Sequence, residues 1–257
     1  MTMATAVQEG KYIYCIIGSS QPRSFGPLGI GGRGDPLHTV VVDDIAAVVS
    51  DAPLTRYRVS RENTLAHQRA IEAVMAEHPV LPVRFATIAE DEEKVKRILK
   101  AEYDRFKPLL TKVSDKVELG LKATFMEGII YESILAKYES IRRLKDRLAG
   151  LPADRTHYER MRLGQMVEEA LQTEKQLVAD DILNALSPLA AEVKTNDPYG
   201  ELMILNAAFF VPRCREADFD RQVQGLGEKY AESAKLKYVG TMPPFNFVTL
   251  MIQMEKY

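Results

Sequence analysis

Residues 80–88 read VLPVRFATI, a run rich in β-branched and aromatic side chains between two stretches of helical period, which predicts a buried strand flanked by helices. Alternation places Leu81, Val83 and Phe85 on one face and Pro82, Arg84 and Ala86 on the other. Proline has no N–H to give a ladder, so Pro82 puts this strand at a sheet edge or a strand start. An arginine in mid-strand either lays its stem over the sheet with its head in water or pairs with a carboxylate. Arg84 is therefore also a candidate anchor for a loop or a partner.

Working outward from this strand, residues 11–17, KYIYCII, read as another strand, and residues 18–36 as a loop punctuated by glycines. Residues 38–42 and 45–50 pair as a hairpin about Asp43-Asp44. Ser60 suits the N-cap of a helix running to about Glu77, with Leu65, Ile71, Val74 and Met75 on its apolar side, and His78-Pro79 ends it. On the other side, Glu90, Asp91, Glu92 and Glu93 gather where a helix dipole favours negative charge. That helix, with Val95, Ile98, Leu99 and Phe106, gives out near Pro108.

Beyond residue 110, residues 116–124 alternate as a half-buried strand, with Val117, Leu119, Leu121 and Ala123 inward. Two helical runs follow, 126–149 and then Leu163 to Leu189, as a hairpin interrupted at Gly150-Leu151-Pro152. Residues 191–195 and 201–211 read as strands, 218–231 as a helix, and 236–254, broken at Pro243-Pro244, as the last strand pair or one bent strand. The expected fold class is α+β with two domains: a small N-terminal α/β domain over residues 1–110 and a C-terminal modified ferredoxin-like domain with an enlarged helical hairpin over residues 111–257.

Composition limits the function classes. A chain of 257 residues with 34 basic and 36 acidic side chains has a net charge of −2, which argues against a phosphate-binding surface driven by bulk charge. Cys15 and Cys214 stand far apart without metal spacing, so no disulfide framework and no metal site is expected. The N-terminus has no basic start followed by an apolar run, and no apolar stretch approaches the roughly 18 residues of a membrane span. A cytosolic, soluble protein is expected.

Several signals tempt and are weighed against plainer readings. Gly29 to Gly34 spells GIGGRG, but dinucleotide chemistry needs a strand turning directly into a helix N-terminus, and here a strand follows. Arg33-Gly34-Asp35 is read as an accident of composition. His67 stands near Glu62 and Asn63 on the first helix, but without a nucleophile it reads as a hydrogen-bonded cluster on the helix surface. His38, His78 and His157 are scattered, so no cofactor or metal constellation emerges. Phe209 and Phe210 lie in a strand lacking the glycine and basic residues of an RNA-binding motif, so no nucleic acid is expected as a partner.

Three motifs together, KYIYCII, the set Arg61-Glu62-Asn63 with Ala66-His67 followed by VLPVRFATI, and the closing YVGTMPPFNFV, resemble the gas vesicle protein F/L family in the same order along nearly the whole chain. Met242 stands where that family usually carries a tryptophan. The resemblance implies a non-catalytic accessory protein of gas vesicle assembly. Its partner would be the small, very hydrophobic major shell protein, with other accessory proteins as further partners. Its place would be the gas vesicle, and the cytoplasm before assembly. An accessory that covers an apolar partner before assembly makes physical sense. The alternative from the fold plan alone is a ferredoxin-like protein that senses a small ligand.

A docking surface can also be anticipated. Residues 202–211 are apolar on both sides, so a second face of that sheet needs a cover, expected from the N-terminal domain, with the shell protein as the runner-up. The partner would then dock on the N-terminal domain, where the hairpin 40–50 and the Arg84 strand offer a sheet edge for an added strand. Val40, Val42, Ile45, Val48, Arg84 and Phe85 are the expected contact residues.

Overall fold

β1 (Glu9–Ile17) is buried along nearly its whole length, and the first sheet grows from both its sides. In the computed structural model, which describes residues 8–257, β1 pairs antiparallel with β3 (Ile45–Pro53) on one side and with β4 (Val80–Pro82) and β5 (Ile88–Ala89) on the other. β2 (His38–Val42) pairs with β3, giving the order β2-β3-β1-β4. The leader reading of residues 1–7 falls outside the described residues. A register shift between Ile13 and Cys15 changes the side-chain parity of β1, so Tyr12, Tyr14, Cys15 and Ile17 all join one core cluster. Ala70, Ile71 and Val74 of α1 (Arg61–Met75) close that cluster. α2 (Glu92–Ala101) packs on β2 and β3, and α3 (Tyr103–Val113) on β4. With helices packed on it, the sheet's strands read as near-continuous apolar runs.

The caps follow the sequence. Ser60 accepts from the Asn63 amide at 3.2 Å, and Asp91 accepts from the Lys94 amide at 2.7 Å, each satisfying a donor that a helix start leaves orphaned. The Asp43-Asp44 hairpin also forms, with Asp43 in the left-handed region.

The stretch 80–88 departs from expectation. It is not one strand: β4 ends at Pro82, β5 begins at Ile88, and Ala86 between them takes φ +64°. Thr87 Oγ1 donates to the Arg84 carbonyl at 2.7 Å and closes a turn, so Arg84 sits exposed in that turn and not in mid-strand. Pro82 does lie on an edge strand, as its missing N–H requires. That edge is itself occupied. The Leu250 amide donates to the Pro82 carbonyl at 2.8 Å, and the Arg84 amide donates to the Leu250 carbonyl at 2.9 Å, a single parallel bridge.

The remaining elements are β6 (Lys116–Phe125), α4 (Glu127–Lys137), α5 (Glu139–Leu148), α6 (His157–Leu186), β7 (Glu192–Thr195), β8 (Met203–Pro212), α7 (Glu216–Lys229) and β9 (Ala234–Met242). Their four-stranded sheet has the order β7-β8-β6-β9, so the chain is a mixed helix and sheet protein with two antiparallel sheets. The helix read over 126–149 breaks at Tyr138 into α4 and α5, and the one read to Pro108 breaks at Glu102, with Pro108 inside α3. No strand follows Pro243-Pro244, where a last strand was expected. Both faces of β8 are buried, with Phe209 set edge-on to Phe219 of α7 at 5.1 Å.

By internal packing the chain forms two units, one up to Glu118 together with Thr241–Tyr257, the other Leu119–Gly240. The closing segment, grouped from the sequence with residues 111–257, thus belongs to the first unit. Val248 and Leu250 are buried, Phe245 packs on the β1 cluster, and the buried Glu118 carboxylate accepts from the Asn246 amide at 2.8 Å and its Nδ2 at 2.6 Å. Among the described residues no helix is long and apolar enough to cross a membrane.

Candidate functional site: an arginine-lined cleft over a tyrosine clamp

Alternation brings Tyr12 and Tyr14 to the same face of β1, their ring centroids 4.8 Å apart and both side chains fully buried. A buried hydroxyl must find partners, and each of these finds a loop. The Ala86 amide donates to Tyr12 Oη at 2.8 Å, which leaves the hydroxyl hydrogen for His67 Nδ1 at 3.1 Å. His67 Nε2 faces the Val83 carbonyl at 3.1 Å, an acceptor only, so Nε2 carries the imidazole hydrogen and the ring is neutral. Burial, only partly opposed by that carbonyl, lowers the His67 pKa to about 4. Tyr14 repeats the pattern on the other loop: the Ile30 amide donates to its Oη at 2.7 Å, and its hydrogen serves Ser50 Oγ at 2.9 Å. Burial pushes the Tyr14 phenol up to about 12 and the Tyr12 phenol higher still.

His67 is therefore not on the helix surface with Glu62 and Asn63, as its sequence neighbours suggested. It is buried because Tyr12 and Val83, remote in sequence, supply both ring nitrogens with partners, while Leu65, read as core, is exposed.

Above the clamp the turn 84–87 opens on a cleft of roughly 520 Å³. Its floor and walls include Tyr57, Phe85, Ile252 and Met254, with Arg56 and Arg84 among them and Thr64 from the first turn of α1. Val59, 85% exposed, stands at its lip. No carboxylate lines this cleft. Among the described residues neither arginine side chain has a hydrogen bond or ion pair. Phe85 packs edge-on to His67 at 5.7 Å, so the clamp fixes the cleft's aromatic wall from below. The arrangement can bind an anionic, partly apolar group; the one histidine beneath it is closed off by its own hydrogen bonds.

The other expected contact residues lie elsewhere. Val40, Val42, Ile45 and Val48 are buried, because a sheet with helices packed on it turns these side chains into its own core. The outer edge of β2 is partly taken as well. The Thr39 amide donates to the Arg23 carbonyl at 3.1 Å, and the Phe25 amide to the Leu37 carbonyl at 3.0 Å. At the hairpin tip Asp44 accepts from Tyr103 at 2.7 Å and from Lys107 at 2.6 Å. Of the six residues, Arg84 and Phe85 line the cleft and the other four do not. The missed members, Arg56, Tyr57, Thr64 and Ile252, had one legible signal: the basic residues Arg56 and Arg58 just ahead of the Ser60 helix cap.

The GIGGRG loop holds only a one-turn 3-10 segment, Ile30–Gly32, with Ile30 fully buried, not a helix that could receive a phosphate. Arg33 there donates to Glu9 at 2.9 Å and pairs with Asp35 at 3.0 Å, so the RGD triplet is folded on itself.

Comparison with known proteins agrees along the chain. A family profile described as gas vesicle synthesis protein GvpL/GvpF matches residues 10–249. A gas vesicle protein F of a Streptomyces species is 31% identical, covering 92% of this chain and 98% of its own. One from Dolichospermum flosaquae is 26% identical over 93% and 97%. The crystal structure of GvpF from Anabaena sp. PCC7120 superposes with a TM-score of 0.81 at 24% identity, covering 95% of this chain and all of that one, which establishes likeness of fold.

Proposed function

The chain belongs to the gas vesicle synthesis protein GvpL/GvpF family, and we propose that it is a non-enzymatic accessory protein of gas vesicle assembly that binds the small, strongly apolar shell protein and keeps it from aggregating or assists its nucleation. The family match over residues 10–249 carries this reading. An apolar shell subunit in water exposes surface that drives aggregation, and a chaperoning contact lowers that cost until the subunit joins the wall. Its working place on this reading is the gas vesicle, and the cytoplasm before assembly. Other accessory proteins are further partners, while nucleic acid and membrane are not.

The first unit is the contact-bearing part in this proposal, through the Arg84 cleft and not through the buried hairpin residues. We read the second unit, with strand order β7-β8-β6-β9 and helices after its first and third strands, as a ferredoxin-like plan whose first helical crossover has grown to α4, α5 and α6. The small-ligand-sensing alternative draws no support from the relatives.

The test uses the full chain, since residues 1–110 alone lack the closing segment that completes the first unit. A tagged chain is coexpressed with the shell protein of its own organism, and soluble shell protein retained on the tag is measured. Retention well above that of an unrelated tagged protein is expected. Retention no greater than that control overturns the proposal.

A further inference from the structure

We infer that the cleft between the turn 84–87 and the segment 56–64 receives a carboxylate-bearing segment of the protein partner, with Arg56 and Arg84 taking the carboxylate and Tyr57, Phe85 and Ile252 taking an adjoining large apolar side chain. The inference rests on the proposed shell-protein reading and adds the chemistry of the contact.

Charge carries it first. Some arginines of this chain hold a carboxylate of their own: Arg33 holds Glu9 and Asp35, Arg105 holds Glu102, and Arg143 holds Glu139. Arg56 and Arg84 converge on one cleft that contains no acid, and among the described residues neither side chain has a partner. The first turn of α1 reaches the same cleft through Thr64. Guanidinium groups favour planar, forked acceptors, which a carboxylate supplies.

The walls carry the second half. Val59 is largely exposed at the lip, and Tyr57, Phe85, Ile252 and Met254 give aromatic and aliphatic surface beside the cations. An aromatic wall next to arginines is the composition of a protein-binding hot spot. Ala86 holds φ +64° in the turn that presents Arg84, a conformation costly for a side-chain-bearing residue, and the Tyr12 hydroxyl pins it there. The site is thus held in shape before anything binds.

The experiment compares wild type, Arg56→Gln/Arg84→Gln and Arg56→Lys/Arg84→Lys full-length chains, each coexpressed with the shell protein, with retention measured at about 0.05 M and about 0.5 M NaCl. The glutamine pair should retain roughly tenfold less at low salt, the lysine pair an intermediate amount, and only wild type and the lysine pair should weaken with salt. Thermal midpoints should stay together, because both side chains are exposed. Changing the shell protein's carboxylates to amides one at a time should reproduce the loss at one position. If wild type retains shell protein and the glutamine pair retains as much with the same salt response, this inference fails and the proposed function stands. If wild type retains none, both fail. Self-association that vanishes in the glutamine pair while shell retention is unchanged would assign the cleft to a second copy and overturn the inference.

Discussion

The glycine loop around Ile30 and the turn around Arg84 are both fastened by a tyrosine hydroxyl of β1 that accepts a loop amide, yet the first buries its hydrophobic residues and neutralises its arginine, while the second leaves two arginines facing a cleft. The first meets its positive φ with glycines such as Gly31 at +83°, and the second with Ala86. Identical anchoring with opposite treatment of charge and strain separates a loop that completes a core from a turn that presents a surface.

The largest expected effect breaks the comparison from beneath the turn. His67 is neutral in the fold with a pKa of about 4 against about 6.5 unfolded, so the unfolded chain takes up a proton first as pH falls. Stability contributed by the neutral ring is intact above about pH 6.5 and should fall by about 3 kcal/mol on the way to pH 4. Urea titrations across that range check it, and His67→Gln should flatten the dependence in that window while lowering stability at pH 7.

Next, Tyr14→Phe strands the Ile30 amide and Ser50 Oγ, both fully buried, and should cost about 2–3 kcal/mol, whereas Tyr12→Phe strands His67 Nδ1 but leaves the Ala86 amide in an exposed turn that water can reach, and should cost about 1–2 kcal/mol. Equal losses in thermal melts would mean the two clamps are equivalent after all. The backbone contrast is smaller. Gly31→Ala should lose about 1 kcal/mol, while Ala86→Gly should gain about 0.5 kcal/mol, since relief of the left-handed strain slightly outweighs glycine's extra chain entropy. Smallest in stability is Arg84→Gln, expected within about 0.5 kcal/mol of wild type because the side chain is exposed and unpaired. A larger loss would show that Arg84 supports the fold and not a surface.

Much of this molecule was legible because its causes are local. Ser60 and Asp91 cap helices within a few residues of themselves, Asp43-Asp44 turns a hairpin, and the 3.6-residue period of α6 spans its own length. What escaped depends on distant partners. His67 looked like a surface residue until Tyr12, 55 positions away, supplied its hydrogen bond, and Glu118 looked like the outward side of a strand until Asn246, 128 positions away, claimed its carboxylate. The breaks at Glu102 and Tyr138 occur without proline or glycine at the junction, so residue type did not announce them. At the candidate site, Arg84 and Phe85 could be read from their motif. Arg56 and Ile252 join them only because the turn, the segment before α1 and the closing segment meet in space.

The parallel bridge from Leu250 to Val83 has a consequence for synthesis. Translation delivers β1 through α3 early, but the backbone partner of β4 arrives only after the whole second unit has been made. Until then the nascent sheet carries an unpaired edge, the feature by which strands recruit other strands. Closing so long a loop is slow compared with local helix formation. The completing step of the first sheet therefore waits until every element of the second unit has emerged, and in that interval the bare edge of β4 is open to other strands.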